Sequence, residues 1–170
     1  MLGLLLLGVA VASYVTSRPA HQAGGFTAVS ARAAMPDLEM AQLGGGTWKL
    51  VEHRGQVVLI NYWATWCGPC REEMPGLAEV ARVSGPKGLS VVGVSLDKDD
   101  HKVVQAFVDH YKVPYPIAFP AAMSQVEQGM EGIPTTVLVD RVGRVVKTYV
   151  GAVRRADFET DVASVLAEAR

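Results

Sequence analysis

The chain has 170 residues, 49% of them hydrophobic and 19% charged, and its 17 acidic and 16 basic side chains leave a formal charge of -1. That length fits one domain, and near-neutrality with a sequence pI of about 6.4 provides no basic field for nucleic acid, so no nucleic-acid partner is expected. The apolar content excludes a disordered chain and the two cysteines exclude a disulfide-stapled miniprotein, yet a mean hydropathy of +0.20 is high for a soluble domain and points to a concentrated apolar segment.

That segment is Leu2 to Val15, which carries no charge and includes Leu4, Leu5, Leu6 and Leu7 in a row. It suits a signal-peptide h-region better than a full membrane span, which needs roughly 20 apolar residues, although a basic n-region is missing. Two readings follow, a signal cleaved among the small residues Ala20 to Gly25 or an uncleaved membrane anchor, and both imply export. A packed core helix fits less well, because the run is followed by a loose, Gly-containing stretch. Residues 1–34 therefore read as a signal or anchor plus a flexible tether from Ala20 to Ala34, and 35–170 as one domain starting near Met35 and Pro36.

Asp37 to Leu43 and Trp48 to Val51 are candidates for a small β element. Val57 to Tyr62 is a β-branched apolar run behind the turn signal Arg54-Gly55-Gln56, the pattern of a central strand covered on both faces. Met74, Leu77, Ala78 and Ala81 then fall at helical spacing after Pro69, with Pro75 predicting a kink one turn in. Leu89 to Ser95 is a second apolar strand, and Val103, Val104, Phe107, Val108 and Tyr111 form a second amphipathic helix. A βαβ unit of this kind has parallel strands and a right-handed crossover. Val113 to Met130, interrupted by Pro114, Pro116 and Pro120, is expected to hold a short strand and helix. Thr135 to Asp140 and Val145 to Val150 flank Arg141 to Arg144 as a hairpin, and a last helix carries Phe158, Val162, Val165 and Leu166 on one face. The order predicts an α/β fold with a mixed central sheet and helices on both faces.

The chemistry centres on Trp66-Cys67-Gly68-Pro69-Cys70, which places the only two cysteines three residues apart where a strand gives way to a helix. Unpaired N–H groups and the positive end of the helix dipole favour a thiolate at Cys67, and a pKa lowered from about 8.5 toward about 7 makes that thiolate abundant at neutral pH. Cys70 is expected to be the more buried thiol, and Pro69 to sit where a missing N–H costs nothing. Other uses of the pair fit less well. A zinc site needs two more ligands, and His21, His53, His101 and His110 offer no second pair at ligand spacing. A purely structural disulfide across so short a loop restrains little chain entropy, and inert core cysteines do not account for the strand-to-helix setting. Dithiol–disulfide exchange is the reading that remains.

Trp63 to Pro75, with its Trp-Cys-Gly-Pro-Cys core, resembles the active-site segment of the TlpA/ResA/CcmG group of exported thioredoxin-like proteins. The similarity runs from about Pro36 to the C-terminus: Pro36-Asp37-Leu38 resembles the entry to that group's N-terminal β extension, and Gly132-Ile133-Pro134-Thr135-Thr136 resembles its cis-proline loop. The resemblance implies a thioredoxin-like fold, with the N-terminal β extension and with Val113 to Met130 as the central insertion. It also implies a thiol:disulfide oxidoreductase with Cys67 and Cys70 as the catalytic pair and no cofactor beyond their redox-active disulfide. A cis Pro134 would leave the Ile133 backbone free to pair with an extended substrate segment. Gly68 and Pro69 then join Trp66, Ile133 and Pro134 as substrate-binding positions, with Trp63 expected in the core and Trp66 exposed. Glu73 matches the group's acidic residue near the site, as proton acceptor for Cys70 or tuner of its thiol, with a solvated helix glutamate as the plain alternative. Asn61 stands where cytoplasmic thioredoxins carry a buried aspartate; Asn takes up no proton, so the role passes to Glu73 or water and Asn61 contributes hydrogen bonds.

The mechanism expected is attack of the Cys67 thiolate on a disulfide of an extracytoplasmic protein, followed by resolution of the mixed disulfide by Cys70. By resemblance, the substrates are apocytochrome c thiols or copper-site cysteines, the electron source is a membrane thiol transporter of the CcdA or DsbD type, and the protein is a periplasmic or membrane-anchored monomer in cytochrome c biogenesis. The Gly-Pro dipeptide favours a reductant by analogy with thioredoxin at about −270 mV, against about −120 mV for the oxidant DsbA. A disulfide oxidase or isomerase stays open, as does a copper-site metallochaperone, which would want three residues between its cysteines and a partner histidine. A peroxiredoxin would carry Thr three residues before its cysteine with a proline upstream; here Thr65 is two before Cys67.

Overall fold

The computed structural model describes residues 25–98, 101–120 and 130–168. A single mixed sheet of seven strands organises them: β1 (Glu39–Gln42), β2 (Thr47–Lys49), β3 (Val57–Trp63), β4 (Leu89–Ser95), β5 (Ile117–Phe119), β6 (Thr135–Val139) and β7 (Val145–Val150), in the order β2-β1-β5-β4-β3-β6-β7. β3, β4 and β5 are parallel neighbours, while β6 runs antiparallel to β3 and to β7, and the β1–β2 hairpin pairs antiparallel with β5. Among the described residues, three α-helices accompany the sheet: α1 (Gly68–Ser84), α2 (His101–Tyr111) and α3 (Arg155–Ala167). The architecture is a thioredoxin-like α/β fold.

The apolar run seen in the sequence accounts for the placement of β3. All seven of its residues are buried, as a strand covered on both faces and flanked by β4 and β6 requires. α1 continues through Pro75 for 17 residues and buries Met74, Leu77, Ala78 and Val80, packing against α3, whose Phe158, Val162 and Val165 are buried in turn. α2 is held mainly by Val104, which is buried, and by Phe107, whose ring centre lies 5.1 Å from that of Trp63. The central insertion supplies β5; the helix expected between it and β6 falls outside the described residues.

Gly93, in the middle of β4, shows how tightly this centre closes. A Cβ there would lie 2.7 Å from Ile117 Cδ1 and 2.9 Å from Trp63 Nε1. Gly93→Ala is therefore expected to cost about 1–3 kcal/mol through overpacking, seen as a lower denaturation midpoint at unchanged slope; an unchanged midpoint would show that the cluster can yield.

The apolar segment Leu2 to Val15 and the first part of the tether, up to Gly24, lie outside the described residues. From residue 25 onward the chain is seated on the domain rather than loose. Thr27 N–H donates to the Val146 carbonyl at 2.9 Å, Val145 N–H to the Ala33 carbonyl at 2.8 Å and Met35 N–H to the Gly143 carbonyl at 2.9 Å. Arg32, 8% exposed, binds both Glu168 carboxylate oxygens at 2.7 and 2.6 Å and Asp140 at 3.3 Å. Burial alone would raise the Asp140 carboxyl, but bonds from Arg144 and Arg32 outweigh it and hold the group below its ordinary value. From residue 25 on, the small-residue stretch is thus tied down by main-chain bonds and by one arginine whose two carboxylate partners lie more than a hundred residues away in sequence. Among the described residues no helix is long and apolar enough to cross a membrane.

Candidate active site

Cys67 occupies the N-cap of α1 with extended backbone, and its sulfur accepts the Cys70 N–H at 3.2 Å while its carbonyl accepts the Arg71 N–H at 3.2 Å. Gly68 and Pro69 fill the first two helical positions, where the N–H that proline lacks would have no helical partner. The two sulfurs are bonded at 2.08 Å. Cys70 is fully buried and Cys67 is 5% exposed, so Cys70 is the more buried of the two sulfurs, as expected, and what access there is from outside is to Cys67.

The loop before β6 completes the surface around Cys67. The Ile133–Pro134 peptide bond is cis, and the Ile133 carbonyl oxygen lies 3.8 Å from Cys67 Sγ. Trp66 projects beside the pair at 69% exposure, whereas Trp63 is completely buried. Cys67, Trp66, Gly68, Pro69, Ile133 and Pro134 therefore converge on one patch, with Pro134 buried and Pro69 exposed. Among the concavities, one of about 380 Å³ is lined by Gly55, Asp140, Arg141, Val142, Arg144, Val165 and Glu168, none of them part of this patch.

Glu73 is not the solvated glutamate that its neighbour Glu72 is. It is 5% exposed, one turn after Cys70, and both carboxylate oxygens are engaged: Asn61 Nδ2 donates to Oε1 at 2.7 Å and Val153 N–H donates to Oε2 at 3.0 Å. Burial dominates these two bonds and pushes the carboxyl from its ordinary 4.5 up to about 7. Asn61 supplies hydrogen bonds as expected, its Nδ2 also donating to Thr136 Oγ1 at 2.9 Å across the β3–β6 pair. Tyr115 approaches the same region; its buried hydroxyl has no hydrogen-bond partner among the described residues, and burial first and the Glu73 charge second raise it above its ordinary value.

The sequence assigns no role to Val153, and names Thr136 only within the cis-proline loop. Thr136 could have been found from strand parity, because antiparallel pairing of β3 with β6 sets it opposite Asn61. Val153 contributes only its main chain, for which the sequence carries no signal. Asp97 and Thr65, joined at the turn before Cys67, were also missed.

The Redoxin family pattern matches residues 30–166. The chain belongs to the Redoxin family. Within it, the likeness is to the TlpA/ResA/CcmG type: the chain is 29% identical over 140 residues to the thiol-disulfide oxidoreductase ResA of Geobacillus thermodenitrificans strain NG80-2, covering 82% of this chain and 80% of that protein. It is 32% identical over 126 residues to the thioredoxin-like protein YneN of Bacillus subtilis strain 168, covering 73% and 74%. Among solved structures, a secreted thiol-disulfide isomerase from Corynebacterium glutamicum superposes with a TM-score of 0.76 at 26% identity, covering 84% of this chain and 91% of that one. This Redoxin-family member is a thiol-disulfide oxidoreductase, a function that the bonded Cys67–Cys70 pair at the start of α1 also supports.

Proposed function

We propose that the protein works on the extracytoplasmic side of a bacterial inner membrane, exported or held there by its N-terminal segment, and reduces disulfides in other proteins. The Cys67 thiolate attacks one sulfur of a substrate disulfide, forming a mixed disulfide and releasing the other sulfur as a thiol. Cys70 then attacks Cys67 Sγ, which frees the second substrate thiol and leaves Cys67 and Cys70 bonded. Two electrons pass to the substrate, and a membrane thiol transporter of the CcdA or DsbD type returns them. The observation that carries this reading is the cysteine pair itself, with a buried sulfur behind an accessible one and a proton-accepting carboxyl below. Glu73, poised near neutrality, takes the Cys70 proton as that sulfur attacks. The Ile133 main chain and the Trp66 indole hold the peptide flanking the substrate disulfide. Apocytochrome c thiols awaiting haem, or the copper-site cysteines of an oxidase subunit, are the substrates that the family resemblance supports. The protein acts as a monomer and needs no cofactor beyond its own disulfide.

The isomerase among its structural relatives favours a second reading, in which the same pair oxidises or reshuffles disulfides. Equilibration of the purified protein with glutathione redox buffers decides between them. A potential near about −270 mV is expected; one near about −120 mV would overturn the reductant reading.

A further inference from the structure

Ala64 to Cys67 carry the chain from β3 into α1, and they include both the attacking sulfur and the exposed indole of Trp66. Backbone bonds close the two ends of this turn, from Leu96 N–H to the Trp63 carbonyl at 2.8 Å and from Cys67 N–H to the Ala64 carbonyl at 3.1 Å. Its middle is held by a side chain from elsewhere. Asp97, just past β4, accepts the Thr65 N–H at Oδ2 (3.0 Å) and the Thr65 hydroxyl at Oδ1 (2.6 Å). Asp97 is itself fixed: Ser95, fully buried at the end of β4, donates its hydroxyl to Asp97 Oδ2 at 2.8 Å and accepts the Asp97 N–H at 3.2 Å. A brace therefore runs from the core of the sheet, through a side chain whose two oxygens each accept from the turn, to the residue preceding Trp66.

These hydrogen bonds go to Thr65 and Ser95, not to the sulfurs. We propose that Asp97 is a positioning residue for substrate specificity: it fixes the Thr65–Cys67 turn so that Trp66 is presented, already ordered, to the polypeptide around a substrate disulfide. The inference rests on the reading that the substrate is a protein. A turn ordered before binding does not charge its ordering against affinity, and a polypeptide lying over Trp66 gains from that. A small disulfide that reaches Cys67 without covering the indole gains nothing. Loss of the brace is thus read as a split between substrates, not as a general loss.

Steady-state reduction of insulin and of oxidised glutathione, with dithiothreitol as the reductant that regenerates the Cys67/Cys70 dithiol and its direct reaction subtracted, tests this in the full chain. For Asp97→Ala, the KM for insulin is expected to rise about three- to tenfold with kcat held within about twofold, while the rate with oxidised glutathione stays within about twofold. Thr65→Ser, which keeps both donors, should retain the wild-type KM. In a Trp66→Ala background, Asp97→Ala should change the insulin KM no further, because the indole through which it acts is gone. An unchanged insulin KM in Asp97→Ala, equal losses on both substrates, or the full Asp97 effect in the absence of Trp66 would each overturn the proposal. If the wild type does not reduce insulin, it is the reductant reading that fails; the KM comparison is then made with the disulfide form oxidising a reduced peptide dithiol, which tests the brace by itself.

Discussion

Serine at position 67 is expected to abolish reduction of insulin disulfides, a loss of several orders of magnitude, because a hydroxyl at the N-cap does not ionise near neutral pH and cannot attack sulfur. Serine at position 70 should behave differently. Cys67 still attacks, but the fully buried position behind it no longer carries the sulfur that releases the substrate, so mixed disulfides accumulate on Cys67. Non-reducing gels and mass spectrometry of the trapped species distinguish the two outcomes. Full turnover by either variant would defeat a two-cysteine mechanism. The asymmetry follows from placement at the helix start: Cys67, at the N-cap, faces Ile133 near the surface, and Cys70, in the first turn, points into the core.

The same geometry explains which parts of the fold were legible in the sequence. β3 and β4 were plain because a central strand buried on both faces must be apolar at nearly every position, and Val57 to Tyr62 and Leu89 to Ser95 are. α1 was marked twice, by the spacing of Met74, Leu77 and Ala78 and by the proline and cysteines at its start. The hairpin of β6 and β7 followed from Gly143, which takes the positive φ of 84° that its turn requires. What escaped notice depends on partners remote in sequence. Composition makes residues 25–34 look loose, and only the fold brings Asp140 and Glu168 within reach of Arg32. Asp97 reads as a polar residue ending a strand until β3 and β4 lie side by side and Thr65 comes against it.

The pairing of Asn61 with Glu73 belongs to the same class. The sequence placed an amide where thioredoxins carry an acid, and a glutamate one turn after Cys70, but the depth of that glutamate was not readable from helical spacing, which allows a solvated side chain as well. In the fold, Glu73 meets two N–H donors, from Asn61 and Val153, and no cation among its hydrogen-bond partners. Two neutral donors recover only part of the hydration that a buried carboxylate loses. The helix thus carries a buried acid one turn after Cys70, with burial setting its proton affinity.

This has a measurable consequence for stability. Glu73 holds its proton up to about pH 7 in the folded protein and releases it near 4.5 when unfolded, so between those values the folded state binds more protons. Stability contributed by the protonated form is fully present below about pH 4.5 and is lost as pH rises through about 7. The difference in pKa corresponds to about 3 kcal/mol. Glu73→Gln removes the titration while keeping the shape. Its amide still meets two donors with one acceptor, so the variant is expected to be the less stable protein at pH 4.5. The gap in unfolding free energy between variant and wild type should then move by about 3 kcal/mol in favour of Gln by pH 8, both measured in the disulfide form by urea titration. A gap that stays constant with pH would mean that Glu73 ionises in the fold as it does in water, and the carboxyl would lose its standing as a proton acceptor for Cys70 at neutral pH.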